Sequence, residues 1–216
     1  MSLEDITLRS ATLDDLDGIA DIYNQLWCNT LRNRGDVEDA AFCARFNIAM
    51  QLERSPIALV AETEGRVVAA CCIGIFDDGA PRVNPMWEPV YRKLLVTATE
   101  MAQNADPKLE GSLFGDSREK ATADRFAATG NDYAQGQINL IIIEPAWQGR
   151  GLGRALIDRA RAELAAAGCS KFFLMTDNQS DWQFYEHIGM TRILEDHSQD
   201  TGDGFIVYMY GDMTER

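Results

Sequence analysis

The sequence predicts an α/β fold: a mixed sheet flanked by helices, in one domain over 1–216, with a helical insertion over 77–136 between strands 3 and 4. Three observations predict it. The stretch QINLIIIEPAWQGRGLGRALIDRARAEL, Gln137 to Leu164, is an apolar strand, a Gly-rich turn and a helix with Leu152, Leu156, Ala160 and Leu164 on one face. Ile57–Glu62 and Arg66–Phe76 are two β-runs joined by Glu64-Gly65, a tight-turn pair. Between these units lies a proline-broken segment whose later half has helical spacing.

In chain order, Ile6 and Leu8 alternate with polar residues in a short first strand. Thr12, with Asp15 three residues on, predicts a capped helix start, followed by Leu13, Leu16, Ile19, Ala20, Tyr23, Leu26 and Trp27 at helical spacing. Asn29 to Asp36 reads as a polar loop, and a second helix runs from about Glu38 to Glu53, stopped by Ser55-Pro56. The hairpin follows and ends at Asp77-Asp78-Gly79. Pro81, Pro85 and Pro89 break the opening of the insertion. Val90, Leu94, Leu95, Ala98, Met101 and Ala102 then predict one helix ending by Asp106-Pro107, and a second is capped by Asp116 or Ser117 and ends near Gly130. Beyond the central unit, Gly168 closes its helix. Lys171–Thr176 is a strand, and Asp177 to Ser180 reads as a helix start before Trp182, Phe184 and Tyr185. Thr191–Leu194 and Gly204–Tyr210 are the last strands, joined by the acidic loop Glu195–Asp203.

Composition narrows the function. A net charge of −14 argues against nucleic acid and anionic membranes as partners. It favours a cationic small molecule instead. Five cysteines without C-x-x-C spacing argue against a disulfide framework or a zinc site, and no metal is expected. Adjacent Cys71 and Cys72 read as core residues on opposite faces of a strand. The opening MSLEDITLRS has no apolar leader run, and no stretch is apolar for long enough to span a bilayer, so a cytoplasmic protein is expected.

The Gly-rich turn carries the chemistry. Gly149, Gly151 and Gly153 let backbone come close to a ligand, and a helix opening supplies unpaired N–H groups that attract an anion. Arg150, Arg154, Arg159 and Arg161 add positive charge. No Walker A run exists, and Arg154 stands where the third glycine of a dinucleotide turn would fall. Gln148-Gly149-Arg150-Gly151-Leu152-Gly153 fits [QR]xxGx[GA] and resembles the pyrophosphate loop of the GNAT acyl-CoA N-acyltransferase family. Asn178 with Phe184-Tyr185-Glu186 and Gly189-Met190 resembles that family's second block, with Met190 where Phe is commoner. The resemblance covers most of the chain outside the insertion and implies a GNAT-like mixed, mostly antiparallel sheet.

The same resemblance implies acetyl transfer from acetyl-CoA to a primary amine, on a small molecule or peptide, by direct attack in a ternary complex. It assigns the pyrophosphate to backbone at Gln148, Gly149, Arg150, Gly151, Leu152, Gly153 and Arg154. The thioester carbonyl falls to N–H groups near Ile142 and Ile143, the pantetheine arm to Asn178, and the departing thiolate to Tyr185 as general acid. Helix capping is the alternative role for Asn178. Where several family members carry an acid or His early on the fourth strand, this chain has the amides Gln137 and Asn139, which position water rather than take a proton. Glu144 precedes Pro145 at a position expected to be exposed; Glu100, Asp132 and Tyr133 are further candidates for a base, and His187 and His197 receive no role. A catalytically weak acyl-CoA-binding sensor or interaction module is the alternative function. The insertion either covers the acceptor site or serves packing or a homodimer contact. The acceptor, the acyl chain length and the oligomeric state stay open.

Overall fold

A computed structural model describes residues 5–115, 117–198 and 202–215. The first strand, β1 (Thr7–Ser10), pairs antiparallel with β2 (Ile57–Thr63), which pairs with β3 (Arg66–Asp77). The β2–β3 turn places Glu64 and Gly65 at φ 52° and 73°, the left-handed pair that a two-residue hairpin requires. Between β1 and β2 lie α1 (Leu16–Trp27), α2 (Asn29–Arg34) and α3 (Val37–Glu53). The N–H of Thr12 bonds the Asp15 carboxylate at 2.7 Å, as the capping pattern predicts. The predicted loop at 29–36 is instead largely α2: Leu31 is fully buried and anchors an otherwise polar turn of helix.

After β3 the chain makes a two-residue strand β4 (Ala80–Pro81) and three helices, α4 (Glu88–Ala102), α5 (Pro107–Phe114) and α6 (Ser117–Ala127). The sequence predicted two. Asp106-Pro107, read as a stop, is also a start: the Asp106 carboxylate accepts from the N–H groups of Lys108 and Leu109, and Pro107 takes the first helical position. Of the caps expected for the next helix, Asp116 lies outside the described residues. The predicted fourth strand is β5 (Gly136–Ile143). It is followed by α7 (Leu152–Ala166), β6 (Lys171–Asp177), α8 (Gln183–His187), β7 (Thr191–Asp196) and β8 (Val207–Met213).

The strands run in the order β1-β2-β3-β5-β6-β8-β7, with β4 beside β3. Every pairing is antiparallel except β5–β6. The sheet is therefore mixed and mostly antiparallel, as expected. Cys72 and Ile142 face a core made with α1 and α3, while Cys71 and Ile138 face the core under α7. The adjacent cysteines thus point to opposite faces.

The insertion divides in two. Trp87, Ala98 and Leu113, all with 0% exposure, place α4 and α5 in the core shared with α1 and α3. Only α6 lies over the later strands, where Ala123, Phe126 and Ala127 pack on Phe76, Phe173 and Met209. α4 and α5 thus follow the packing alternative, while α6 packs on β3, β6 and β8.

Candidate active site

One break in the sheet builds the site. The parallel β5–β6 ladder has two rungs only, Gln137↔Phe173 and Ile138↔Leu174. At the next residue β5 bulges: Leu140 faces Cys72 and Ile138 faces Ile73, so Asn139 has no partner on β3. Beyond the bulge β5 stays paired to β3 and leaves β6, which stays paired to β8. A gap opens between them, with its vertex at Asn139.

The bulge is pinned from the α3 side. The side-chain amide of Asn139 donates to the Arg54 carbonyl at 3.2 Å and to Ser55 Oγ at 2.8 Å, tying β5 to the end of α3. It crosses Gly74, where a Cβ would sit 2.8 Å from Asn139 Nδ2 and 3.3 Å from the Arg54 carbonyl. Both donors of Asn139 are thereby engaged in holding the bulge.

Alternation along an antiparallel ladder decides which backbone groups face the gap. Glu144 N–H donates to the Val68 carbonyl, so Glu144, Ile142 and Leu140 turn their polar groups to β3. Ile141 and Ile143 turn theirs to the gap. The amide of Gln148 reaches the Ile143 carbonyl at 3.1 Å from that side. Of the two N–H groups expected to polarise a carbonyl, that of Ile143 faces the gap. That of Ile142 is turned to β3, and the other N–H turned to the gap is that of Ile141.

At the open end of β5 stands the start of α7. Gly149 and Gly151 have φ of 70° and 86°, a turn that residues with side chains rarely adopt. Gly151 is the N-cap and offers no side-chain bond to the first helical N–H groups, so the groups at Leu152, Gly153 and Arg154 lie without the usual capping oxygen. Leu152 itself is buried and contributes backbone only. A Cβ on Gly153 would meet Ile143 Cδ1 and Phe184 Cζ, each at 3.4 Å, which shows how closely β5, α7 and α8 converge. A bare helix start of this kind fits a pyrophosphate.

Arg150 stacks over buried Trp147 at 5.0 Å beside this turn, and Arg154 is exposed in the first turn of α7. The other two arginines do not belong to the cradle. Arg159 pairs with Glu163, and Arg161 with Asp158 and Asp212, further down the helix.

Tyr185 lies on α8, half-buried, with its ring 5.5 Å from Tyr210 and 5.4 Å from Phe184. A knot behind it fixes this corner. Arg192 stacks on Tyr208 and Trp182 and pairs with Glu186, which also accepts from the Tyr210 hydroxyl. Burial works against the Arg192 charge, but its bonds to Tyr210 and Glu186 prevail and raise its pKa.

Asn178 does not cap a helix. Residues 177–180 form a turn in which Asp177 accepts from Gln179 N–H and the Ser180 hydroxyl, and α8 starts only at Gln183. The Asn178 side chain donates to the Gly204 carbonyl and accepts from Ile206 N–H, clamping the strand approach to β8. Glu144 is not exposed either: it is half-buried and paired with Arg66 at 2.7 Å. Asp132 pairs with Lys171, Glu100 is exposed on α4, and Tyr133 packs beneath Gly211. In the acidic loop Asp196 pairs with Arg125 of α6, Asp203 caps Phe205 N–H, and Asp200 lies outside the described residues. His187 and His197 are exposed.

Sequence reasoning missed the roof of the vertex. Arg54, the residue that ends α3, and Asp124 of α6 pair above it. A small cavity lies there between Met50 of α3, Arg54, Lys120 and Ala123 of α6, Gln137 of β5 and Met175 of β6. Asp124 is the one acid that a helical wheel would set four residues from Lys120, but nothing local assigns it a distant partner. Burial acts to raise the Asp124 carboxyl. The Arg54 guanidinium outweighs it and holds the carboxyl below the usual range.

Residues 117–190 match the model of the Acetyltransferase (GNAT) family, a span that runs from α6 through α8. Over 64 residues the chain is 41% identical to the mycothiol acetyltransferase of Beutenbergia cavernae, covering 29% of this chain and 22% of that protein. The chain thus spans about a fifth, 22%, of that curated relative's length. Among solved structures, the yncA protein of Salmonella typhimurium, described with its cofactor acetyl-CoA, aligns at TM-score 0.52 and 17% identity over 98% of this chain and 95% of that one. The arylalkylamine N-acetyltransferase like 5b of a mosquito aligns at TM-score 0.54 and 16% identity over 96% and 99% of the two chains. At these identities the solved structures share the fold.

Proposed function

We propose, from the match of residues 117–190 to the GNAT acetyltransferase family and the shared fold, that the chain transfers an acetyl group from acetyl-CoA to a primary amine by direct attack in a ternary complex. The observation that carries this reading is the gap: β5 and β6 share two rungs and then part beside a helix start bare of side chains. Gln148 to Arg154 hold the pyrophosphate through backbone N–H groups, with Arg150 and Arg154 adding charge. When bound, acetyl-CoA supplies the acyl group as a thioester, whose C–S bond breaks as a C–N bond forms. The chain must then polarise one carbonyl, orient one amine and return one proton to sulfur.

Backbone N–H groups of Ile141 and Ile143 serve the carbonyl. Tyr185 donates the proton. Asn178 sets the wall of the gap on the β6 side through its clamp on 204–206. Gln137 orients the amine, and Asn139 holds the bulge that places it. The cysteines support direct attack over a covalent enzyme intermediate. All five are buried. Burial pushes Cys72 to about 12 and Cys71 well above its ordinary value, so neither beside the site is a thiolate at neutral pH.

The test is a thermal melt with acetyl-CoA, free CoA and NAD. Ligand at about 100 times its dissociation constant adds roughly 2.7 kcal/mol, and for a chain of this size each kcal/mol moves the midpoint by about 2–4 °C. A shift with both CoA forms and none with NAD is expected. No shift with either CoA form, in folded protein, overturns the reading. A second reading, an acyl-CoA sensor without turnover, is favoured by amides where a base would serve. Thiol release across a panel of amines separates it from the first.

A further inference from the structure

The helix that carries Tyr185 does not hold itself. α8 is five residues long, Gln183–His187, and its N-cap Trp182 gives no side-chain bond to the first turn. Isolated helices shorter than about 12–15 residues are marginal in water. Where Tyr185 stands is therefore decided by what grips α8 from outside.

The grip converges on Arg192. Arg192 lies directly opposite Tyr210 in the β7–β8 ladder, so the two side chains share a face, and Tyr208, two residues along β8, shares it too. The guanidinium sits 4.3 Å from the centre of the Tyr208 ring, 4.8 Å from that of Trp182 and 5.8 Å from that of Tyr210. It takes hold of α8 at both ends. Trp182 is stacked at the start, and Glu186, one residue beyond Tyr185, is held by an ion pair of 2.5 Å. The Tyr210 hydroxyl accepts from Arg192 Nε at 3.3 Å and donates to Glu186 at 3.1 Å, and the Tyr210 ring lies 5.5 Å from that of Tyr185. The Tyr185 N–H donates to the carbonyl of the stacked Trp182 at 3.1 Å.

Resting on the reading of Tyr185 as general acid, we propose that Arg192 is a positioning residue of the reaction. Through Trp182, Glu186 and Tyr210 it fixes the phenol where a proton must reach the departing sulfur. The phenol gives that proton as the C–S bond breaks and is recharged from water, which also takes the surplus proton of the product nitrogen. Arg192 takes no part in these transfers. Its flat guanidinium suits the task, because it faces three rings and pairs with a carboxylate at once, and the compact ammonium of a lysine does not.

The experiment is a double-mutant cycle of wild type, Arg192→Met, Tyr185→Phe and the double variant. For each, kcat is measured with the amine of the panel that wild type acetylates fastest, alongside the acetyl-CoA dissociation constant. Arg192→Met is expected to lower kcat by about tenfold, since a misplaced reacting group costs up to about a hundredfold, and to leave acetyl-CoA binding within about twofold. In the Tyr185→Phe background the same change is expected to have no further effect on kcat. Equal losses in both backgrounds overturn the proposal and leave the acetyltransferase reading intact. Amide hydrogen exchange reads the grip without any acceptor. The N–H groups of Ile188 and Met190 bond to the carbonyls of Phe184 and Tyr185, and Arg192→Met is expected to speed their exchange by about tenfold. Unchanged exchange overturns the proposal. Arg192→Lys keeps the charge without the flat fork, and wild-type kcat in that variant assigns the effect to charge alone and overturns the positioning role. Transfer to no amine, with acetyl-CoA bound, overturns both readings.

Discussion

The Arg54 guanidinium grips the Asp124 carboxylate with two nitrogens, at 2.5 and 3.3 Å, and joins the C-cap of α3 to the second half of α6. The two ends are unequal. Arg54 has 6% of its side chain exposed and Asp124 37%. Removing the exposed partner therefore strands a buried charge. Asp124→Ala should lower stability by about 2 kcal/mol, less than the full cost of breaking a wholly buried pair because water screens the acid. Urea titration measures it, and a loss below about 0.5 kcal/mol would show that the pair does not anchor α6.

Gly74 yields a second prediction. A methyl group there meets the Asn139 amide nitrogen at 2.8 Å and backbone behind it, so Asn139 must leave its bonds to Arg54 and Ser55. Gly74→Ala should cost about 1–3 kcal/mol. In the double variant Gly74→Ala/Asn139→Ala the two losses should overlap rather than add, giving a coupling of about 1 kcal/mol in a double-mutant cycle. Strict additivity would mean that the two residues act independently.

Tyr185→Phe keeps the ring packing on Phe184 and Tyr210 and deletes the hydroxyl. Turnover should fall by about a hundredfold, the lower range for a lost general acid. Acetyl-CoA affinity by calorimetry should hold within about twofold, since no binding contact is removed. Wild-type turnover in this variant would refute the assignment.

Acid should weaken the chain at its first strand. Asp15 is buried and receives two nitrogens of Arg9, which hold its carboxyl below the ordinary 3.8. A carboxyl depressed in the folded state stabilises fully above its unfolded pKa and loses that contribution as pH falls through the folded one. Melting midpoints of wild type and Asp15→Asn should differ most near neutral pH and converge as pH drops below 3.8. A gap that stays constant with pH would assign the loss to packing instead.

The Gly-rich turn was legible because glycine is a backbone statement: Gly149 and Gly151 sit where side chains are disfavoured, and the chain says so locally. The β2–β3 hairpin was legible for the same reason. α2 was not, since Asn29–Arg34 holds one apolar residue, Leu31, and its burial depends on distant partners. α5 was hidden by an ambiguity of chemistry, because Asp106-Pro107 ends one helix and begins another. For Gln137 and Asn139 the residue types were legible and the roles were not. Which of two neighbouring amides is committed to the frame and which keeps an open bond is decided by Ser55 and Arg54, more than eighty residues away.

The two-rung join between β5 and β6 also bears on how the chain behaves alone. Where the strands part, each presents an unzipped border inside the sheet, lined on the β5 side by the polar groups of Ile141 and Ile143 within an apolar run. Borders of this kind attract other strands, and proteins normally shield them with charge, proline or a covering loop. If acetyl-CoA fills the gap as proposed, it covers that border as well, and concentrated protein is expected to self-associate less with acetyl-CoA than without it.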